Sequence, residues 1–457
     1  MAEPLSAADR SSLSAEQGPI TMAVGGLMLL EDGPGLAPAA FLERVQARLH
    51  LLPRYRQRLQ TTAGVLNPVW IDDPAFDLGW HVRRATLGAA AEGDEDALAA
   101  LVGRELSRRL DRSRPLWELT VVEGLAGGRV AVLAKMHHAL VDGVAAVDIG
   151  TVLLDPGPEP LDLPAPEQEW TPEPYDRARH LARLGLQPAV VVQRLLRDSA
   201  QRALVPDPRR AAREVRQATE MLTELARTRP HAPMTTLNRP IGPNRRCAFQ
   251  RAGLAELKAA GKAAGGTVND AILAVVAGTL RLALPELVEG PSPVALVPVS
   301  VRREGEEGGN RISTVLVDLP VGLDDPRERV RAIAATTAGL KASAAVRAGA
   351  LLVGAAGWAP PVISDTLARA LSGMRAFNVV VSNVPGPQQP FYINGSRLLA
   401  AFPAVPLNPA TQGLSVGVLS YDGGVHFGLL ADRELEPPLA VVAGALREAL
   451  GDLIGAS

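Results

Sequence analysis

A chain of 457 residues exceeds one ordinary hydrophobic core and sets the expectation of two domains of about 200 residues each. Its 47 basic and 49 acidic residues leave a formal charge of −2, which argues against nucleic-acid binding, and a single cysteine, Cys247, excludes an internal disulfide and fits a reducing cytoplasm. The first thirty residues lack the layout of a secretion signal, and glycines or prolines interrupt both long uncharged stretches, Ala348–Ser364 and Leu398–Tyr421, so no transmembrane span is expected.

Over residues 1–154, strand-like runs (Met22–Leu30, Arg129–Met136) alternate with helical ones (Pro38–His50, Asp94–Arg109), an α/β pattern. The second strand runs into His137-His138-Ala139-Leu140-Val141-Asp142-Gly143. Alternation puts Val130, Val132, Ala134, Met136 and His138 on one face and His137 on the other, so only one histidine of the pair faces a given cleft. Asp142-Gly143 then breaks the strand, and Gly143–Leu154 reads as a helix that Asp142 caps. A neutral imidazole beside a substrate hydroxyl removes its proton as the oxygen attacks a carbonyl, which makes His138 the candidate general base. Asp142 lies four residues on, beyond the turn, where it is suited to hold the loop and orient the ring rather than to relay a proton. The bland alternatives are a packed core histidine and a simple helix cap.

Asp155–Pro174 holds seven prolines and six acidic residues with no lysine or arginine, and reads as a linker. Arg177–Arg216 carries ten arginines against Asp198, Asp207 and Glu214, with Leu181, Leu184, Val191 and Leu195 at helical spacings. This net +7 segment is a basic helical bridge, suited either to packing between domains or to an anionic lipid surface. From about Asn238 the α/β character returns, with a helix over Asn269–Leu284 and strands over Val294–Val301, Phe377–Val381, Leu414–Ser420 and Val425–Leu430. The expected domains are therefore 1–154, a connecting segment 155–237, and 238–457. Asn269 is either a helix cap or a polar group at the cleft, and Asp270 adds a favourable charge at the helix N-terminus. Ser382-Asn383-Val384-Pro385-Gly386-Pro387 reads as a rigid turn with exposed donors, for an oxyanion or a CoA arm, or as a turn with no chemical role. No Gly-x-Ser-x-Gly elbow occurs, Cys247 stands far from the histidines in sequence, and the histidines lack a third metal ligand, so neither an acyl-enzyme nor a metal is expected.

At the histidine motif the chain resembles the bacterial wax ester synthase/diacylglycerol acyltransferase family, within the CoA-dependent acyltransferase superfamily that shares His-His-x-x-x-Asp-Gly. The resemblance extends over nearly the whole chain: Pro4-Leu5-Ser6-Ala7-Ala8-Asp9, Pro53–Leu59, Phe76-Asp77-Leu78 with His81-Val82-Arg83, and Leu110–Glu118 around Pro115-Leu116-Trp117. It continues through Thr267-Val268-Asn269-Asp270, Pro298–Arg302, Gly309-Asn310, Leu319-Pro320, Ser382–Pro387 and Ser420-Tyr421-Asp422-Gly423. One departure is Ile20-Thr21-Met22, where a Pro-Met-His type segment is expected.

The resemblance implies two chloramphenicol-acetyltransferase-like α/β domains with the reaction centre in a tunnel between them. It implies transfer of a long-chain acyl group from acyl-CoA, a substrate rather than a cofactor, to diacylglycerol or a long-chain alcohol, by direct attack. His138 is then the base, with His137, Asp142 and Gly143 completing the motif. Asn269, Asp270, Ser382 and Asn383 are candidate supporting residues, and Arg302 is the candidate partner that holds Asp142 from the second domain. The expected location is cytoplasmic, peripheral to a membrane or lipid inclusion. Two other readings are a condensation-type enzyme that takes its acyl group from a carrier protein and a catalytically silent lipid-surface protein.

Overall fold

The computed structural model describes residues 3–61, 68–88, 94–140, 149–176 apart from 151, 165 and 167, 232–300, 312–342, 376–407 and 412–456. Asp142, Gly143, Arg302, the basic segment 177–216 and the stretch 348–364 lie outside them. In the first half the elements run β1 (Glu3–Pro4), α1 (Ala7–Ala15), β2 (Ala23–Glu31), α2 (Pro38–Arg48), β3 (Gln57–Gln60), β4 (Val69–Asp72), α3 (Leu78–His81), β5 (Val82–Thr86), α4 (Asp94–Ser107), β6 (Trp117–Leu125) and β7 (Arg129–His137). The second half runs β8 (Arg245–Gly253), α5 (Leu254–Ala263), α6 (Val268–Ala283), β9 (Val294–Ser300), β10 (Ile312–Asp318) and α7 (Pro326–Ala342). It ends with β11 (Val379–Pro385), β12 (Tyr392–Ile393), β13 (Ser396–Ala404), β14 (Leu414–Tyr421), β15 (Gly424–Asp432) and α8 (Leu439–Gly455).

Two six-stranded mixed sheets result, ordered β12-β13-β2-β7-β6-β5 and β10-β9-β11-β14-β15-β8, beside a small β1-β4-β3 sheet. β7 is central in the first because it is apolar on both sides: Val130, Val132, Ala134 and Met136 enter one core and Ala131 and Leu133 another. In the second, α6 inserts Ala271 through Ala277 and Leu280 into the largest core and packs against α5, α7 and α8.

Sheet membership does not follow the boundary at residue 238. β12 and β13 lie in the C-terminal stretch of the chain yet complete the N-terminal sheet, with β13 pairing antiparallel to β2 from Leu398↔Leu30 to Ala404↔Gly25. Local patterning carries no information on which sheet a strand joins. At the crossing, β13 lies against β14 and β15. Gly417 and Gly428 face each other across those strands, and a Cβ at either would stand 2.9 or 2.0 Å from the Pro403 carbonyl oxygen. This pair of glycines is a notch that admits the backbone of β13.

The acidic linker starts as an anchored segment. Asp155 is fully buried, accepts from Arg44 and, at 2.7 Å, from Arg48 of α2, and bridges to Tyr392 of β12. Downstream, Trp170 sits under Arg56 and edge-on to Phe76, which tethers an otherwise irregular and largely exposed proline-rich stretch at that point.

Candidate active site

Three of the sequence blocks meet behind the end of β7. Trp117 donates its ring N–H to the Tyr55 carbonyl at 2.8 Å, Tyr55 points its hydroxyl at the Met136 sulfur at 3.1 Å, and His81 stacks on Trp117 with ring centroids 4.5 Å apart. Phe76 covers the other side of the His81 ring. His81 Nδ1 lies 2.7 Å from the Trp117 carbonyl, so Nδ1 carries the proton; burial pushes the ring pKa down to about 4 and keeps it neutral. This wall fixes the two flanking strands, and backbone bonds then fix the histidines: His137 N–H donates to Leu116 O at 2.9 Å and His138 N–H to Met22 O at 2.8 Å.

The two histidines have opposite environments. His137 is 1 % exposed. Its Nδ1 accepts from the Ala139 N–H at 3.0 Å, which leaves the ring proton on Nε2, facing Glu16 Oε2 at 3.6 Å. Neither nitrogen of such a ring is available as a base. His138 is exposed, and its Nδ1 lies 3.3 Å from the Ser12 hydroxyl. The two rings are thus separated, His137 buried and His138 exposed.

Glu16 ties this corner together. It accepts from the Met22 N–H at 3.1 Å and from Arg112 at 2.9 Å, in addition to facing His137. Burial alone raises its carboxyl, but the contacts with His137, Met22 and Arg112 outweigh that and hold the pKa at about 2. Thr21, in the segment that departs from the family pattern, bonds through its hydroxyl to Leu106 O at the end of α4, 3.1 Å away. Lys135 lies two residues before His137 on the same face. It is 2 % exposed, its Nζ has no hydrogen-bond partner among the described residues, and burial lowers its pKa against the attraction of Glu118 and Glu105.

The second group of predicted residues sits on the C-terminal sheet. Among the described residues β11 pairs in parallel with β9 at Val379 and Val380 and with β14 as far as Pro385. Asn269, in the first turn of α6, reaches that end, and Asn383 donates to it through its side-chain N–H at 3.2 Å. Ser382-Asn383-Val384-Pro385 is therefore strand rather than turn, because the pairing with Gly417–Ser420 carries the ladder past the proline; the turn begins at Gly386. Asp270 is structural. It closes a capping box with Thr267, accepts from Thr337 at 2.8 Å and is 4 % exposed.

Sequence reasoning missed Ser12, Glu16, Arg112 and Lys135. The available signal was the spacing of Asp9, Ser12 and Glu16, which lie on one stripe of α1 and its C-cap and are all buried. Cys247 packs at the edge of a core, with its thiol pushed up to about 12 by burial, and supplies no thiolate near neutral pH. Among the described residues no cluster of three His, Cys, Asp or Glu side chains is placed to hold a metal ion, and no single helix is long and apolar enough to cross a membrane.

Residues 5–272 match the model of the wax ester synthase/diacylglycerol acyltransferase catalytic domain, and residues 308–453 match that of its C-terminal domain. The chain belongs to the wax ester synthase/diacylglycerol acyltransferase family. A putative diacylglycerol O-acyltransferase of Mycobacterium tuberculosis is 36% identical over 459 residues, covering 98% of this chain and 99% of the relative. A second, from Mycobacterium bovis, is 35% identical over 446 residues and covers 94% of each chain. The solved wax ester synthase/diacylglycerol acyltransferase of Marinobacter aquaeolei superposes with a TM-score of 0.68 at 28% identity, over 98% of both chains. The first condensation domain of the CDA synthetase shares the fold, with a TM-score of 0.57 at 15% identity over 99% of this chain and 96% of that one. The family's two-domain α/β architecture is thus the one in which the histidine pair and the Asn269–Asn383 pair are placed.

Proposed function

We propose that this protein is an acyl-CoA-dependent O-acyltransferase that makes a neutral lipid, with diacylglycerol as its principal acceptor and a long-chain alcohol as a second. The observation that carries the reading is the inequivalence of the histidines at the end of β7: His137 is buried, with Nδ1 taken by the Ala139 N–H and Nε2 facing Glu16 at 3.6 Å, and His138 is exposed. His138 Nε2 takes the acceptor's hydroxyl proton as the oxygen attacks the thioester carbonyl and the new C–O bond forms. The tetrahedral intermediate collapses with cleavage of the C–S bond, and the imidazolium returns the proton to the CoA sulfur. The thioester is already activated, so the sequence of steps needs neither a metal nor an acyl-enzyme, and a chelator is expected to leave turnover unchanged.

Asp142 and Arg302 retain the roles proposed from sequence, a loop-holding carboxylate and its partner from the second domain. On that proposal Asp142→Asn keeps more activity than Asp142→Ala, and Arg302→Ala matches the latter; parental activity in all three variants removes the bridge. The work place proposed is the cytoplasmic side of a membrane or lipid inclusion, where the acceptor collects.

The names of the mycobacterial relatives favour diacylglycerol. Competition between diolein and hexadecanol at equal concentration, with palmitoyl-CoA as donor, tests the acceptor. Triacylglycerol as the main product supports the proposal, and wax ester as the main product reverses the order of acceptors.

A further inference from the structure

Helix α1 is unusual in what it buries. Leu5 and Leu13 enter the core, but Asp9, Ser12 and Glu16 are buried as well, at 8 %, 8 % and 6 % exposure. Removing polar groups from water costs stability unless each finds a partner, so a polar inner stripe on a nine-residue helix requires receivers built for it. Asp9 closes a capping box with Ser6 at the start of the helix. Ser12 Oγ lies 3.3 Å from His138 Nδ1, and Glu16 Oε2 lies 3.6 Å from His137 Nε2. Residues four apart stand one above the other along a helix, about one 5.4 Å turn apart. One short element therefore reaches both rings of the motif.

The far side of this grip is also built. Arg112, from the loop before Pro115-Leu116-Trp117, donates to Glu16 at 2.9 Å and to the Leu13 carbonyl at 3.0 Å, bonding to both the helix and its C-cap. Glu16 Oε1 accepts from the Met22 N–H, and the Met22 carbonyl accepts from the His138 N–H, so the carboxylate and the backbone of the second histidine are joined through one residue.

From this geometry we infer that α1 is a two-point clasp for the histidine pair: Ser12 is a positioning residue that keeps the proton of His138 on Nδ1 and its Nε2 lone pair toward the substrate, and Glu16 is a positioning residue that locks His137. Neither touches substrate. The hydroxyl accepts the Nδ1–H, which selects the tautomer in which Nε2 is the base. Loss of the hydroxyl removes one restraint on the ring and raises the share of the other tautomer or another ring orientation, both unproductive. The inference rests on His138 being the base and adds the device that orients it.

The test is steady-state kinetics of the full-length protein with palmitoyl-CoA and diolein, for Ser12→Ala, Ser12→Thr, Glu16→Gln and His138→Ala, each with its thermal midpoint. Ser12→Ala is expected to fold like the parent and to lose about tenfold in kcat, roughly the worth of one neutral hydrogen bond, with both KM values within about twofold. Ser12→Thr, which keeps the hydroxyl, is expected to recover most of that loss. Glu16→Gln keeps an acceptor for the His137 Nε2–H and is expected to lose less kcat than Ser12→Ala while its midpoint falls. Parental kcat in Ser12→Ala, or a threonine variant no better than alanine, overturns the clasp. A loss confined to KM overturns it too, because a tautomer-setting contact acts on the chemical step. Parental turnover in His138→Ala instead overturns the functional reading beneath it, so the two failures are told apart.

Discussion

The two six-stranded sheets are alike in size and mixed strand order but differ in what they bury. Around β7 the interior holds Glu16, His81, Glu118, Lys135 and His137, and Lys135 Nζ has no hydrogen-bond partner among the described residues; the C-terminal half buries Arg245, Asp270, Arg329, His426 and Asp432 as well, but Arg245 pairs with Asp432, and Asp270 closes the cap of an α6 whose other buried side chains are Ala, Val, Leu, Ile and Thr279. Hydrocarbon burial stabilises at about 25 cal/mol per Å², whereas a buried ion costs stability unless it is paired. α6 is thus the firmer core element, and β7 gives up stability to hold ionisable groups in fixed places. The comparison teaches where to look for chemistry: beside the strand whose interior is hardest to justify by packing alone.

The largest effect that sharpens this contrast is on activity. His138→Ala is expected to lower turnover by roughly 10²–10⁴-fold with an unchanged thermal midpoint, and Asn383→Ala, on the other sheet, by far less. Comparable losses for the two would place the chemistry equally on both halves.

The next effects concern pH. The Glu16 carboxyl is held at about 2 against its ordinary 4.5, so its stabilisation is fully present above pH 4.5 and is lost as pH falls toward 2. Glu16→Gln should therefore cost up to about 3 kcal/mol in urea unfolding at pH 7, and progressively less between pH 4.5 and 2. A pH-independent difference would show that the charge is not what matters. His81 and His426 titrate the other way, each pushed by burial from 6.5 down to about 4. Below pH 6.5 the unfolded chain binds protons that these rings refuse, so stability already falls between pH 6.5 and 4. An unfolding midpoint that stays flat over that window would contradict neutral, buried rings.

Smaller effects test the join between the halves and the least satisfied group. Gly428→Ala drives a methyl group toward the Pro403 carbonyl and is expected to destabilise by about 1–3 kcal/mol, with Gly417→Ala milder; the reverse ranking would misplace the crossing of β13. Lys135→Met removes a buried cation that lacks a hydrogen-bond partner among the described residues while Glu118 keeps Arg83 at 3.2 Å. Its thermal stability should stay level or rise by up to about 1 kcal/mol. A fall of several kcal/mol would mean that Lys135 is paired after all.

Much of this was legible in the residues because it is local. Strand alternation separated His137 from His138, and apolar periodicity located β2, α2, α4, β7, α6, β14 and β15 to within one or two residues of their ends. The strand at Phe377–Val381 was legible only in part: Pro385 and Gly386 suggested an early turn, whereas pairing with β14 extends it to Pro385. β13 was invisible because its alternation is overlaid by Pro403 and because its partner, β2, lies some 370 residues earlier in the chain. Ser12 and Glu16 were passed over for the same physical reason. A serine and a glutamate in a polar stretch read as solvated until the fold supplies the rings they meet.

The central claim is direct transfer from acyl-CoA to an alcohol at His138, and the measurement that bears on it most directly follows both products in one reaction. Purified protein is mixed with radiolabelled palmitoyl-CoA and diolein; free thiol, triacylglycerol, free fatty acid and label bound to denatured protein are counted over time. One triacylglycerol per thiol released, with no label on the protein at any time and none of this in His138→Ala, is the predicted result. Thiol release that yields only free palmitate, or palmitate trapped covalently on the chain during turnover, would contradict the account.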